Sequence, residues 1–168
     1  MRTNENLQNN FSAESMAAIK YYAYAITAEE EGRRQIAKLF RAMAEAQKIH
    51  AINTLKAISA LDESESNLSA TIDSKTYDYT QRYPSLIEQS NLDENPAVSS
   101  LFQMAVKTLK AHIRLLNDAL KNFKRVKDYD YWVCSMCGLV EMGSMPVFCK
   151  ACGAPREKFI QVTNKKVI

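Results

Sequence analysis

The 168-residue chain is poor in the residues that interrupt helices. It has four glycines and four prolines, and residues 1–122 hold a single glycine, Gly32. Long stretches without breakers exclude a turn-rich β fold and favour helices. No run approaches the roughly 20 apolar residues that cross a bilayer. The opening "MRTNENLQNN" lacks the apolar core of a secretory signal. Charge of one sign is also scarce: 22 basic and 19 acidic residues leave a net +3. That balance argues against nucleic acid or a membrane as partner and predicts a soluble, cytoplasmic protein. Cysteine is absent from the first 133 residues, and histidine occurs only as His50 and His112.

The remaining composition is that of a folded chain. Hydrophobic residues make up 46%, enough for a core. Four helices are predicted. The first runs from about Ser12, as N-cap, to about Glu31, with Gly32 at its end. The second covers about 33–60, and "LDESESNLS" reads as a solvated loop. The third covers about 70–91 and is kinked by Pro84. The fourth starts at Asn95 and Pro96, a good N-cap and N1 pair, and runs to about Phe123. Ile36, Phe40, Met43, Gln47, His50 and Ala57, with Thr54 between the last two, line one face of the second helix. Val98, Phe102, Ala105, Leu109, His112, Leu116, Ala119 and Phe123 do so on the fourth. Such lines predict buried stripes and an antiparallel four-helix bundle over 1–124. Each histidine lies ten residues after a phenylalanine, Phe40 or Phe102, which suggests a duplicated helix pair.

The texture changes after Phe123. Residues 125–130 form a polar and aromatic linker, and 131–168 a second domain. All four cysteines fall here as Cys134-x-x-Cys137 and Cys149-x-x-Cys152, eleven residues apart. Paired cysteines followed by glycine, Gly138 and Gly153, are metal-binding turns, because two thiolates converge where glycine accepts a positive φ. In a reducing compartment such clusters are ligands rather than disulfides. Four sulfurs in a tetrahedron hold iron or zinc. A domain of about 40 residues has too little core to fold reliably without that staple.

Tyr131, Trp132, Phe148 and Phe159 flank these turns, and with the "CGAPREKF" tail they resemble rubredoxins, which favours iron. A rubredoxin-like domain after a helical bundle resembles the rubrerythrins over nearly the whole chain. The motifs that carry the likeness are "FSAES" with Tyr21, "EEEGRRQIAKLFRAMAEAQKIHA", "YDYTQRYP", and a fourth helix ending its motif at His112. The resemblance implies a mainly α, ferritin-like antiparallel four-helix bundle, followed by a rubredoxin-like knuckle domain with short β-strands. It also implies two irons in the bundle, peroxide reduction there, and electrons supplied by the cysteine site. A homodimer or larger oligomer and a redox partner protein follow from the same likeness. So does a hydrogen bond from Tyr21 and from Tyr83 to a ligating carboxylate.

The family's helical ligands are only partly present. Glu14 stands for the first-helix glutamate, His50 and His112 for the two histidines, and Asp78 for one of two acids on the third helix. Gln47 and Leu109 replace the bridging glutamates three residues before each histidine, and Lys75 replaces the other acid. Glu45, five residues before His50, is about 500° round the helix and faces elsewhere. The charges of Glu14, Asp78 and Lys75 sum to −1 against +4 for two ferrous ions, so a diiron centre is electrostatically doubtful. The expected arrangement has the Lys75 ammonium bonding Glu14 and Asp78. The alternative is one metal held by Glu14, His50, Asp78 and His112. The function expected is electron transfer at the cysteine iron with peroxide reduction weak or lost. A non-catalytic dimeric scaffold with a structural zinc knuckle is the other class.

Overall fold

A computed structural model describes residues 2–125 and 127–164. Met1 of the expected bundle, Val126 of the expected linker and the tail 165–168 lie outside the described residues. The elements run α1 (Arg2–Glu30), α2 (Arg34–Ala57), α3 (Ser64–Tyr77), a π-helical turn (Asp78–Arg82), α4 (Tyr83–Leu92) and α5 (Pro96–Lys121). Three short strands follow: β1 (Tyr131–Cys134), β2 (Val140–Met142) and β3 (Phe159–Val162). With α3, the π turn and α4 as one interrupted rod, these are the four expected helices and the expected small sheet. The chain divides into two compact units, 1–63 and 64–168.

The first unit is the hairpin of α1 and α2. α1 begins ten residues before the expected cap at Ser12, because nothing in "RTNENLQNN" stops a helix and Asn10 donates to Thr54 Oγ1 on α2 at 3.0 Å. The turn at Gly32 (φ +74°) closes α1. Gly32 N–H reaches Glu29 O at 2.9 Å and Arg33 N–H reaches Ala28 O at 2.8 Å, the paired bonds of a Schellman end. Within this hairpin α2 buries a line of small residues that includes Thr54 of the predicted stripe. Ala37, Ala44, Ala51 and Thr54 are buried, and they share this interior with Ala25 and Ala28 of α1. Ile36 and Met43 remain 45% and 40% exposed. Small side chains let two helix backbones approach closely, so the alanine stripe one position along takes the interface.

The second unit opens with a helix where a loop was expected. α3 starts at Ser64, inside "LDESESNLS", with Glu65 in its first turn, where an acid complements the helix dipole. Pro84 neither ends nor breaks the rod. The π turn immediately before it absorbs the missing donor, with Tyr83 N–H bonding Asp78 O one residue further back than in an α-helix. α5 is capped as expected, Asn95 Oδ1 accepting from Val98 N–H at 3.3 Å. Its predicted stripe is half-buried to buried throughout, with Leu109 only 5% exposed.

The duplication is visible in both units. Tyr21 stacks on Phe40 with ring centres 6.5 Å apart, and Tyr83 meets Phe102 edge-on at 5.9 Å. Tyrosine, phenylalanine and histidine each recur at an offset of 62 residues, 21 to 83, 40 to 102 and 50 to 112.

The strands form one antiparallel sheet in the order β2-β1-β3. Its small core is Cys134, Leu139, Cys149 and Phe159, with Trp132 and Ala111 of α5 packed against it. The Trp132 indole N–H donates to Gly143 O at 2.9 Å and ties β1 to the turn after β2.

Candidate metal centre

The two cysteine turns are built alike. In the first, Gly138 N–H reaches Cys134 O at 2.8 Å and Cys134 N–H reaches Leu139 O at 2.9 Å. In the second, Gly153 N–H reaches Cys149 O at 2.8 Å and Cys149 N–H reaches Ala154 O at 2.7 Å. Gly138 and Gly153 sit at φ +75° and +76°, a conformation that costs a side-chain-bearing residue energy. These turns bring all four sulfurs within 4.8 Å of one another. Cys134 and Cys152 Sγ are 3.8 Å apart, and Cys137 and Cys149 Sγ 3.5 Å. A disulfide would need about 2.05 Å. A tetrahedron with metal–sulfur bonds of about 2.3 Å has edges of about 3.8 Å, so the spacing fits a four-thiolate metal. It is the one group of three or more Cys, His, Asp or Glu so gathered among the described residues.

The thiols are unequal. Burial pushes the Cys137 thiol up to about 12, with the neighbouring sulfurs adding to the rise and the Leu139 N–H opposing it. Burial also raises Cys149, against the N–H groups of Cys152 and Ala151. Burial pushes on Cys134 too, but the N–H groups of Met136 and Cys137 and the adjacent thiols outweigh it and take that group below its ordinary value. N–H groups aimed at sulfur favour the thiolates a metal requires. Cys134 and Cys149 are buried, whereas Cys137 and Cys152 are half-buried and line a shallow cleft with Met104 and Met136.

The helical candidates have other partners. In the first unit His50 Nδ1 lies 3.5 Å from Glu14 Oε2, and that oxygen is buried without a hydrogen bond. In the second unit both oxygens of the buried Asp78 carboxylate are occupied. Lys75 Nζ is 3.3 Å from Oδ2, and Arg82 Nη1 is 3.0 Å from Oδ1. The Lys75–Asp78 contact was expected from the sequence and the Arg82 contact was not, although acid and base four apart on a helix are its usual signal. Arg82 also lies over the Tyr83 ring, 5.4 Å from its centre. His112 turns to the cysteine domain, with Nε2 3.1 Å from Gly138 O and 3.3 Å from Val140 N. Burial holds His112 below its ordinary value; the bond to Gly138 opposes this and the Lys75 charge adds to it. Leu109, where the resemblance implies a bridging carboxylate, is buried. This donor set does not fit a diiron centre: Asp78 is claimed by two cations and Leu109 offers no ligand.

Long helices, a three-stranded sheet and two matched cysteine turns define a ferritin-like helical protein with a rubredoxin-like metal domain. The family model described as rubrerythrin matches residues 5–90, and the one described as rubrerythrin, rubredoxin-like domain, matches 132–160. The chain belongs to the rubrerythrin family of non-haem iron proteins. It is similar to Rubrerythrin-1 of Clostridium acetobutylicum, 28% identical over 181 residues, with 94% of this chain and 93% of the relative covered. Nigerythrin of Nitratidesulfovibrio vulgaris is 25% identical, with 94% and 85% covered. The solved structure titled as the fully reduced, all-ferrous state of nigerythrin matches with a TM-score of 0.57 at 25% identity, over 95% of this chain and 86% of that one. Among the described residues, no helix is long and apolar enough to cross a membrane.

Proposed function

We propose that this chain is an electron-transfer protein whose four-cysteine site is its working centre, with the family's peroxide-reducing diiron activity weak or lost. The observation that carries this reading is the Asp78 carboxylate, held on one oxygen by Lys75 and on the other by Arg82. A carboxylate so neutralised is a poor ligand, and Lys75 repels a dication. Gln47 and Leu109, in place of the bridging glutamates, point the same way. When iron is bound, four thiolates supply one reversible electron and no open coordination position. The protein contributes the N–H groups that stabilise the sulfurs, the buried pair Cys134 and Cys149, and the half-buried pair Cys137 and Cys152. The reading includes a cytoplasmic homodimer or larger oligomer and a separate redox partner.

Metal analysis with visible spectroscopy tests the reading. The expected protein is red when oxidised, binds one iron per chain and consumes peroxide slowly. Three metals per chain with rapid peroxide consumption would overturn it. A colourless protein with one zinc would instead establish the scaffold function.

A further inference from the structure

Charge is distributed unevenly along this nearly balanced chain. Residues 96–127 carry seven lysines and arginines against the single acid Asp118, a net +6, while the whole chain is only +3. Lys107, Lys110 and Arg114 fall three and four residues apart, so they share one face of α5. Like charges at that spacing repel, and none of the three has an ion-pair partner among the described residues.

These cations border a groove between α5 and the cysteine domain, both inside the second unit. One half, of about 350 Å³, is lined by Lys107, Lys110, Arg114 and Lys150 over a floor of Ala111, Leu115 and Leu139. The adjoining half, of about 380 Å³, shares Leu115 and carries Arg125 and Lys127 beside Tyr129 and Met142. The acids present are few: Glu141 is engaged by Lys150 at 3.3 Å, and Asp118 lines the second half. An apolar floor inside a charged rim is the anatomy of a protein–protein interface. The groove also touches both cysteine turns. Leu139 and Val140 follow Cys137, and Lys150 and Ala151 lie between Cys149 and Cys152.

We propose that this groove is the docking surface for an acidic electron-carrier protein that exchanges one electron with the four-cysteine site. The proposal rests on the redox reading of that site. In the exchange the reduced carrier loses one electron and the ferric four-thiolate site gains it. No bond is made or broken and no proton moves. Opposite charge across the interface raises the encounter rate and fixes the orientation in which the carrier meets the two turns.

A plant-type [2Fe–2S] ferredoxin, an acidic one-electron protein, serves as probe with the full iron-loaded chain. Binding is followed by fluorescence of Trp132, the single tryptophan, and electron transfer by stopped-flow absorbance. The variant Lys107→Glu/Lys110→Glu/Arg114→Glu should weaken binding and slow reduction on the order of tenfold. Raising salt from about 20 to about 200 mM should act in the same direction on the unaltered protein. A matched reversal in the first unit, Lys20→Glu/Lys38→Glu/Lys56→Glu, should change either rate or affinity by about twofold at most, since remote charges are screened. If the reversed variant misfolds by circular dichroism, the corresponding triple glutamine variant decides, with an intermediate loss expected. Reduction that is indifferent to the α5 charges and to salt would overturn the docking surface and leave the redox reading standing. Charge-sensitive binding without reduction would sustain the surface and sink the redox reading. Tighter binding of duplex DNA than of ferredoxin at equal salt would also overturn the proposal.

Discussion

The cysteine cage and the helical ligand positions descend from the same architecture and have fared differently. In the cage, two turns repeat each other bond for bond and bring four sulfurs to the spacing of a tetrahedron's corners. In the helices, the residues at the ligand positions that the resemblance implies each have other partners. His50 faces Glu14, Asp78 faces two cations, and His112 faces the backbone of the cysteine domain. The contrast shows what each kind of site needs. A knuckle is local, so a few residues of turn geometry keep it whole. A bundle site gathers single residues from several helices, and replacing three carboxylates, one of them by an ammonium, changes its charge balance entirely.

The comparison breaks most forcefully at the cage. Cys149→Ser removes a buried ligand and should abolish metal binding, since structural four-ligand sites are worth on the order of 10 kcal/mol. Elemental analysis should find no metal, and near-ultraviolet circular dichroism should lose the Trp132 signal while the helical signal persists. Retained metal at full occupancy would contradict the geometry.

Rebuilding the helical site is the next largest effect. Gln47→Glu/Lys75→Glu/Leu109→Glu restores the family's carboxylates and should raise the metal count from one to three per chain. The carboxylate at the buried position 109 should cost several kcal/mol without metal, so a chelator should lower the melting temperature of this variant sharply. A metal count fixed at one would mean that something beyond these three replacements closed the site.

A smaller change sharpens the account of Asp78. Asp78→Asn leaves Lys75 and Arg82 unpaired. Both are well exposed, with side chains 39% and 55% accessible, so water compensates much of the loss. The expected cost is about 1 kcal/mol, roughly 2–4 °C in Tm. A Tm unchanged or raised would show that the ion pairs contribute nothing to folding.

The smallest effect is on pH. His112 is held below its ordinary 6.5 in the folded protein, chiefly by burial. A group depressed on folding contributes stability that is present above the unfolded value and lost as pH falls through the folded one. Contact between α5 and the Gly138–Val140 segment should therefore loosen as pH drops below about 6.5. Amide exchange at Val140 should accelerate over that range. In His112→Gln the acceleration should disappear, and its persistence would assign the effect to another group.

Much of this was legible in the sequence because it is encoded locally. Cys134, Cys137, Cys149 and Cys152 announce a cage through spacing alone, and Asn95-Pro96 announces a helix start that the structure reproduces. Lys75 beside Asp78 followed from the two acid positions that the resemblance implies on the third helix and from pairing of opposite charges. Other features depended on packing. Inside the α1–α2 hairpin, size rather than hydrophobicity selected Ala37, Ala44 and Ala51 for the interior, beside Thr54 of the predicted line. The early start of α1 depends on Asn10 reaching Thr54, 44 residues away. Arg82 was missed although it stands four residues after Asp78, and the π turn before Pro84 was not foreseen.

The sequence by itself determined the helices and the cysteine knuckles, since each follows from residue identity and near-neighbour spacing, and its resemblance to a family implied the replacement of three carboxylates, at Gln47, Lys75 and Leu109. Only the tertiary structure decided what the surviving residues now do. It brought His112 against the backbone of the cysteine domain and gathered the charges of α5 along a groove beside the knuckles. Those outcomes join residues tens of positions apart, and no local pattern specifies either.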